Sequence, residues 1–446
     1  MATLAPQRPE VRTSPTAYKA LTEYFEKHPE DKPKHPHKWD LSRSDIYYED
    51  KWQPIVAEMQ AAGPLHYIDD SPFGPYWSVV GHKAIQHIEA LPETFSSSWE
   101  HGGITILERL SEDEAAASGA DTRDLPMFIA MDRPQHTGQR RTVAPKFTPS
   151  GMTEMEPKIR KRTGELLDSL PRGEVFDWVD KVSIELTTAM LATMFDFPFE
   201  ERRKLTFWSD MATASSAQVG EEGSTVEERR QHLFECLETF QSLLNDRKGK
   251  GHGIDFVSLL ADGKDTQDLE PLEYLGTLIL LIVGGNDTTR NSISGGVLAL
   301  NENPAQYDKL RADPGIIPNM VSEMIRWQTP LAHMRRTATR DAELSGKQIK
   351  AGDKIVMWYV SGNRDESVIP RADEFLIDRK NVRTHLSFGW GPHFCVGSRI
   401  AEMQLRVLWE EIMKRYSKIE VVGDPVRVRS NFVKGFHQLP VKLHAL

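Results

Sequence analysis

Cysteine is scarce. The 446-residue chain holds only Cys236 and Cys395, which excludes a disulfide framework and leaves any thiol chemistry to one residue acting singly. Positive charge is also short: 55 Lys and Arg stand against 65 Asp and Glu, a formal charge of -10. That balance is opposite in sign to the footprint of a nucleic-acid binder, so neither DNA nor RNA is expected as a partner. No apolar run approaches the roughly 20 residues of a membrane span, and the longest, Leu275 to Gly285, reads as the middle of a buried helix. The start, Met1 to Asp40, is polar and rich in Pro, Lys and His, without the apolar stretch of a signal peptide, so a cytoplasmic location is expected. Fixed-period repeats and Gly/Ser linkers are absent as well, which implies a polar leader, 1–45, followed by a single domain, 46–446.

Helical periodicity dominates what is present. Val179, Val182, Leu186, Ala189, Met190 and Thr193 recur at three- and four-residue spacing, the pattern of a helix packed on a core. Pro271 and Pro304 bracket a second helix of unusual length, roughly 45 Å at about 1.5 Å per residue. Further helices are expected over 318–329, ended by Pro330, and over 396–416 with Ala401, Leu405, Leu408 and Ile412 facing inward. Strand signals are few and late: Ala342 to Val360, with a turn at Gly346-Lys347, reads as a small sheet. The expected class is mainly α with a minor β region. Ser111 to Asp124 and Ala214 to Glu228 read as surface loops.

The sharpest local signal is Phe388-Gly389-Trp390-Gly391-Pro392-His393-Phe394-Cys395-Val396-Gly397. Glycines let the backbone bend sharply and approach a flat partner, while amides at a helix start favour negative charge on sulfur. Cys395 therefore reads as a thiolate metal ligand, whereas Cys236 reads as a buried, inert thiol. Within the long helix, Gly284-Gly285-Asn286-Asp287-Thr288-Thr289 removes two side chains and then sets an acid beside an alcohol, a pattern open to either a helix kink or a proton relay. His136 and Arg140, four residues apart behind Pro134, can reach one anion together from one helical face. Glu323 and Arg326 have the spacing of an intrahelical ion pair, as do Glu200 with Arg203 and Glu227 with Arg230.

The spacing of Phe388, Gly391, Cys395 and Gly397 resembles the haem-binding signature of the cytochrome P450 family, in which a cysteine thiolate ligates haem iron. The chain is similar to that family in the order of its other motifs too, from about Trp52 to the C-terminus. The resemblance implies a haem-thiolate monooxygenase fold with haem b as cofactor. It implies Cys395 as the iron ligand, Gly284 and Gly285 as the oxygen groove, and Asp287 and Thr288 as the proton relay. His136, Arg140, Arg336 and His393 are implied as propionate anchors, and Glu323 with Arg326 as a structural brace on the cysteine side of the haem.

Ser71 to Ser78, Phe176 to Val179, Leu281 to Asn291 and Asn319 to Glu323 further resemble the soluble bacterial alkane and fatty-acid terminal hydroxylases. This likeness implies conversion of apolar linear substrates and dioxygen to primary alcohols or omega-hydroxy acids. Ile282, Leu331, Ala332 and Met334 are expected to line the substrate pocket. Electrons are expected from an iron-sulfur ferredoxin served by a flavin, NAD(P)H-dependent ferredoxin reductase, with Arg379, Lys380, Arg383 and Arg399 forming a docking patch. The alternatives are a hydroxylase of terpenes, steroids or other bulky lipids, and a non-catalytic haem-thiolate sensor or electron carrier.

Overall fold

A computed structural model describes residues 38–69, 71–106, 125–213, 226–251 and 253–446. Most of the expected leader, the whole of the 111–124 loop and most of the 214–228 loop lie outside the described residues. The end of that second loop is helical, since a helix starts at Val226.

The central element is the long helix, Pro271–Glu302, here α1. A proline opens it, where its missing N–H costs nothing, and the next helix begins at Pro304. Apolar residues surround most of its length, so it is buried nearly all round from Tyr274 to Leu300. Glycines set its closest crossings: a side chain at Gly295 would collide with Gln328, and one at Gly296 with Met324. Both partners lie on α2, Ile317–Gln328. That helix stops where Thr329 adopts a left-handed backbone (φ 43°) ahead of Pro330.

Around the first half of α1 pack Glu185–Phe195, Arg203–Thr213 and Val226–Arg247, with Leu191, Trp208 and Phe240 among the buried side chains of that cluster. The expected face at 179–193 holds, Thr193 being half-buried, but the chain winds wider over Val179–Ile184 before it becomes α-helical. A second cluster joins the other half of α1 to α2 and to α3, Ser398–Met413. Leu405, Leu408 and Ile412 of α3 are buried there as expected, while Ala401 is only half-buried.

The β structure exceeds the expected small sheet. Five strands, β1 Leu65–Ile68, β2 Tyr76–Val79, β3 Phe95–Ser96, β4 His333–Ala338 and β5 Lys354–Trp358, pair in the order β1-β2-β5-β4-β3. Only β2 and β5 run parallel. Ala342–Leu344 and Lys347–Ile349 form a separate hairpin. Its two turn residues are Ser345 and Gly346, both at positive φ, so the turn sits one residue before the expected Gly346-Lys347. Val360 belongs to a helical turn, not to the strand.

The boundary at 45/46 falls inside the packed structure. Leu41 is fully buried with Ile46, Tyr47 and Trp52 against the sheet, and Asp40 accepts hydrogen bonds from Ser42 and Tyr76. Among the described residues, no helix is long and apolar enough to cross a membrane.

Candidate functional site

The cysteine loop is closed by a hydrogen bond from the Cys395 amide to the Phe388 carbonyl (2.8 Å). Gly389 and Gly391 take positive φ, 68° and 63°, a conformation that side chains disfavour. A side chain at Gly391 would also strike the Glu89 carbonyl. The loop thus rests on the end of the helix His82–Glu89, here α4. Gly397 is different: its φ is negative and a Cβ there would meet only ordinary contacts, among them Cys395 Sγ at 3.9 Å. Burial pushes the Cys395 thiol up, opposed by the amides of Gly397 and Ser398 and by the Arg140 guanidinium. The same donors that oppose burial favour a thiolate. Cys236 has no such donors; it is fully buried in the first core cluster, and burial pushes its thiol up.

Beside this loop lies a cluster of basic side chains. His136 and Arg140 share the helix Gln135–Val143, which follows Pro134 as the spacing implied. The Arg140 guanidinium donates to the Phe394 carbonyl at 2.5 Å. The His136 and His393 rings lie 4.1 Å apart. Neither His136 Nε2 nor His393 Nδ1 has a hydrogen-bond partner although both are buried. Burial, then the Arg140 and Arg133 charges, pushes the His136 imidazole down to about 4. Burial and the Arg336 charge likewise hold His393 well below its ordinary value. Both rings are therefore neutral at pH 7. Ser97 orients His393 by a 2.8 Å hydrogen bond at Nε2 and is itself tied to Asp132. Two unpartnered imidazole nitrogens with Arg140 nearby form a cradle suited to a carboxylate-bearing ligand.

Arg336, on β4, is buried and reaches Glu89 at 3.4 Å. Sequence reasoning missed Ser97 and Glu89, because both act across more than 240 residues of chain and neither lies in a motif.

On α1, Gly284 is exposed in the middle of an otherwise buried helix, and an added Cβ would meet nothing within 4 Å. Gly285 faces the other way, where a Cβ would strike Leu191. Thr288 Oγ1 donates to the Gly284 carbonyl (2.9 Å). Asp287 is 1% exposed and accepts from Asn286 Nδ2 (2.9 Å), Thr213 Oγ1 (3.1 Å) and Arg290 Nη2 (3.0 Å). Arg290 continues to Asp210. The expected acid and alcohol are thus adjacent in sequence but not hydrogen-bonded to each other, since Asp287 is drawn into an ion pair on the far side of the turn.

Of the expected pocket residues, Leu331 is half-buried and packs with Met334 and Phe432 in one cluster. Ile282 and Ala332 are fully buried in other clusters. Leu280 and Val283, half-buried on α1, flank Gly284.

Glu323 and Arg326 are 0% exposed and joined by two hydrogen bonds of 2.7 and 2.8 Å. Arg379 adds a third at 2.9 Å, and Arg326 donates to the carbonyls of Asn363 and Ala372. This clamp fixes the segment leading into the cysteine loop. It also removes Arg379 from the expected docking patch, because a buried, ion-paired guanidinium presents no charge to a partner. Lys380, Arg383 and Arg399 are exposed, as are Trp390 (44%) and Phe394 (41%) of the loop itself. Arg203, in contrast, pairs with Glu185 and Asp180 at the surface, so the Glu200 spacing carries no such clamp.

The family model for cytochrome P450 matches residues 316–443. A linalool 8-monooxygenase from Pseudomonas putida is 36% identical over 410 residues, 91% of this chain and 98% of that protein. A methyl-branched lipid omega-hydroxylase from Mycobacterium tuberculosis is 31% identical, covering 82% of this chain and 83% of that protein. A solved structure of cytochrome P450-153 from Novosphingobium aromaticivorans superposes with a TM-score of 0.84 at 54% identity, covering 92% of this chain and all of that one.

Proposed function

Because this chain belongs to the cytochrome P450 family, a haem-dependent monooxygenase by descent, we propose that it hydroxylates the terminal methyl of linear alkanes or fatty acids. The observation that carries this reading is the gap at Gly284: an exposed glycine within a buried helix, bordered by Leu280, Val283 and the Thr288 hydroxyl. It offers an apolar approach with one polar group at its end, as an apolar chain requires. The omega-hydroxylase relative supports the same reading through its name.

The residues fit the cofactor. Cys395 would hold the iron through sulfur, its charge favoured by the Gly397 and Ser398 amides. His136, Arg140, His393 and Arg336 would hold the propionates, which would supply the partners that His136 Nε2 and His393 Nδ1 lack. Bound haem supplies the activation of dioxygen, placing one oxygen atom in a C–H bond and releasing the other as water.

The protein positions the chain end and moves protons. Thr288 Oγ1 gives up its bond to the Gly284 carbonyl to donate into the gap. Asp287, once turned away from Arg290, would take a proton from solvent and pass it to Thr288, so the ion pair would restrain proton supply. Thr288→Ala is expected to leave substrate binding intact but divert at least half of the NADH consumed to peroxide. Tight coupling of NADH to product in that variant contradicts the assignment.

An iron-sulfur ferredoxin with its flavin reductase is the proposed electron source, docking on Lys380, Arg383 and Arg399 around the exposed Trp390. Reversing the three charges together is expected to slow ferredoxin reduction of the haem by about tenfold and to flatten its salt dependence; kinetics equal to wild type contradict that docking site. The linalool relative favours a second reading, a hydroxylase of terpenes or other bulky lipids. Spectral binding titrations separate the two. Linear alkanes and fatty acids are expected to bind more tightly than linalool, and the reverse order favours the bulky-lipid reading.

A further inference from the structure

Glu89, the last residue of α4, has a side chain only 1% exposed, in a place where a carboxylate is costly without partners. Its Oε1 accepts the Tyr359 hydroxyl and lies 3.4 Å from Arg336 Nη2, while Oε2 has no partner. The cysteine loop lies against it: a Cβ at Gly389 would sit 3.5 Å from Oε1, and one at Gly391 would strike the Glu89 carbonyl. One carboxylate therefore touches a propionate anchor and the loop of the iron ligand together.

We propose that Glu89 is a positioning residue that aims Arg336 at the haem and takes up one proton when one electron reaches the haem. The inference rests on the assignment of Arg336 to a propionate. In the step, ferredoxin is oxidised by one electron and the haem is reduced by one. A solvent proton converts the Glu89 carboxylate to the acid, forming an O–H bond at the unpartnered Oε2, so the interior gains no net charge. Burial raises this carboxyl to about 7 against the Arg336 charge, the Tyr359 hydroxyl and the Trp390 amide. The charged or titratable groups facing it are Arg336 from β4 and Tyr359 from the turn after β5. The cysteine loop presents only backbone, and His82, two turns back on α4, is bonded to Thr384. Negative charge added nearby favours the protonated form further, so proton uptake follows reduction.

The test is the haem reduction potential of the holoprotein across neutral pH. Wild type is expected to fall in potential as pH rises, approaching the one-electron constant of about 59 mV per pH unit. Glu89→Gln is expected to lose that slope while keeping its haem spectrum, and an unchanged slope overturns the proposal. Tyr359→Phe removes a donor that favours the anion, so its sloping window is expected to move to higher pH; a window that stays put overturns the proposal even where Glu89→Gln fails to hold haem. Haem retention distinguishes the underlying assignment. Arg336→Gln is expected to release haem faster than wild type, and equal release contradicts the propionate role of Arg336 and with it the positioning role of Glu89.

Discussion

Cys395→Ser is expected to abolish hydroxylation, by more than about three orders of magnitude or ~4 kcal/mol of barrier, while the fold persists. The side chain is similar in size to serine, and the loop is held by its backbone: the Cys395 amide to the Phe388 carbonyl and the positive φ of Gly389 and Gly391. What serine lacks is a soft, readily ionised sulfur that would ligate the haem iron. Absorption spectroscopy of the reduced, carbon monoxide-bound protein reads the ligand directly. Retained thiolate-type absorption with retained turnover contradicts the assignment. The pH dependence has a definite sign. Burial raises the thiol and metal ligation requires the thiolate, so haem capture by the apoprotein strengthens as pH rises.

Glu323→Gln is expected to be almost as damaging by a different route. Two guanidinium groups, Arg326 and Arg379, face one carboxylate in a space closed to water. Removing its charge leaves both uncompensated at a cost of about 3–5 kcal/mol. Arg326 also holds the carbonyls of Asn363 and Ala372, so the damage passes to the segment that delivers the cysteine loop. The expected result is a lower unfolding midpoint and a fall in haem content of purified protein. Glu165→Gln, which breaks the exposed pair with Lys161, is the control and is expected to change neither. Equal behaviour of the two variants contradicts the clamp.

The site's local geometry was legible where neighbouring residues force it. Glycines and a proline around Cys395 imply a bent loop before a helix, and such a loop is present; four-residue spacing placed His136 and Arg140 on one face. Spacing also identified Glu323 with Arg326, but the same spacing recurs at Glu200 and Arg203, and only burial separates a core clamp from surface pairing. Arg379 was misread for that reason: an arginine near the cysteine loop looks available until Glu323 is seen to neutralise it. The strand His333–Ala338 carries no clear alternation, being buried at nearly every position, so its pairing with Lys354–Trp358 could not be read locally. Glu89 and Ser97 depend on contacts between distant segments and on no motif.

Product regiochemistry tests the central claim most directly. Purified holoprotein, surrogate ferredoxin, ferredoxin reductase and NADH would be offered a series of linear alkanes and fatty acids, with linalool alongside. The account predicts mainly primary alcohols and omega-hydroxy acids from the linear chains, with little turnover of linalool. Mainly subterminal alcohols, or turnover of linalool alone under competent electron delivery, would contradict it.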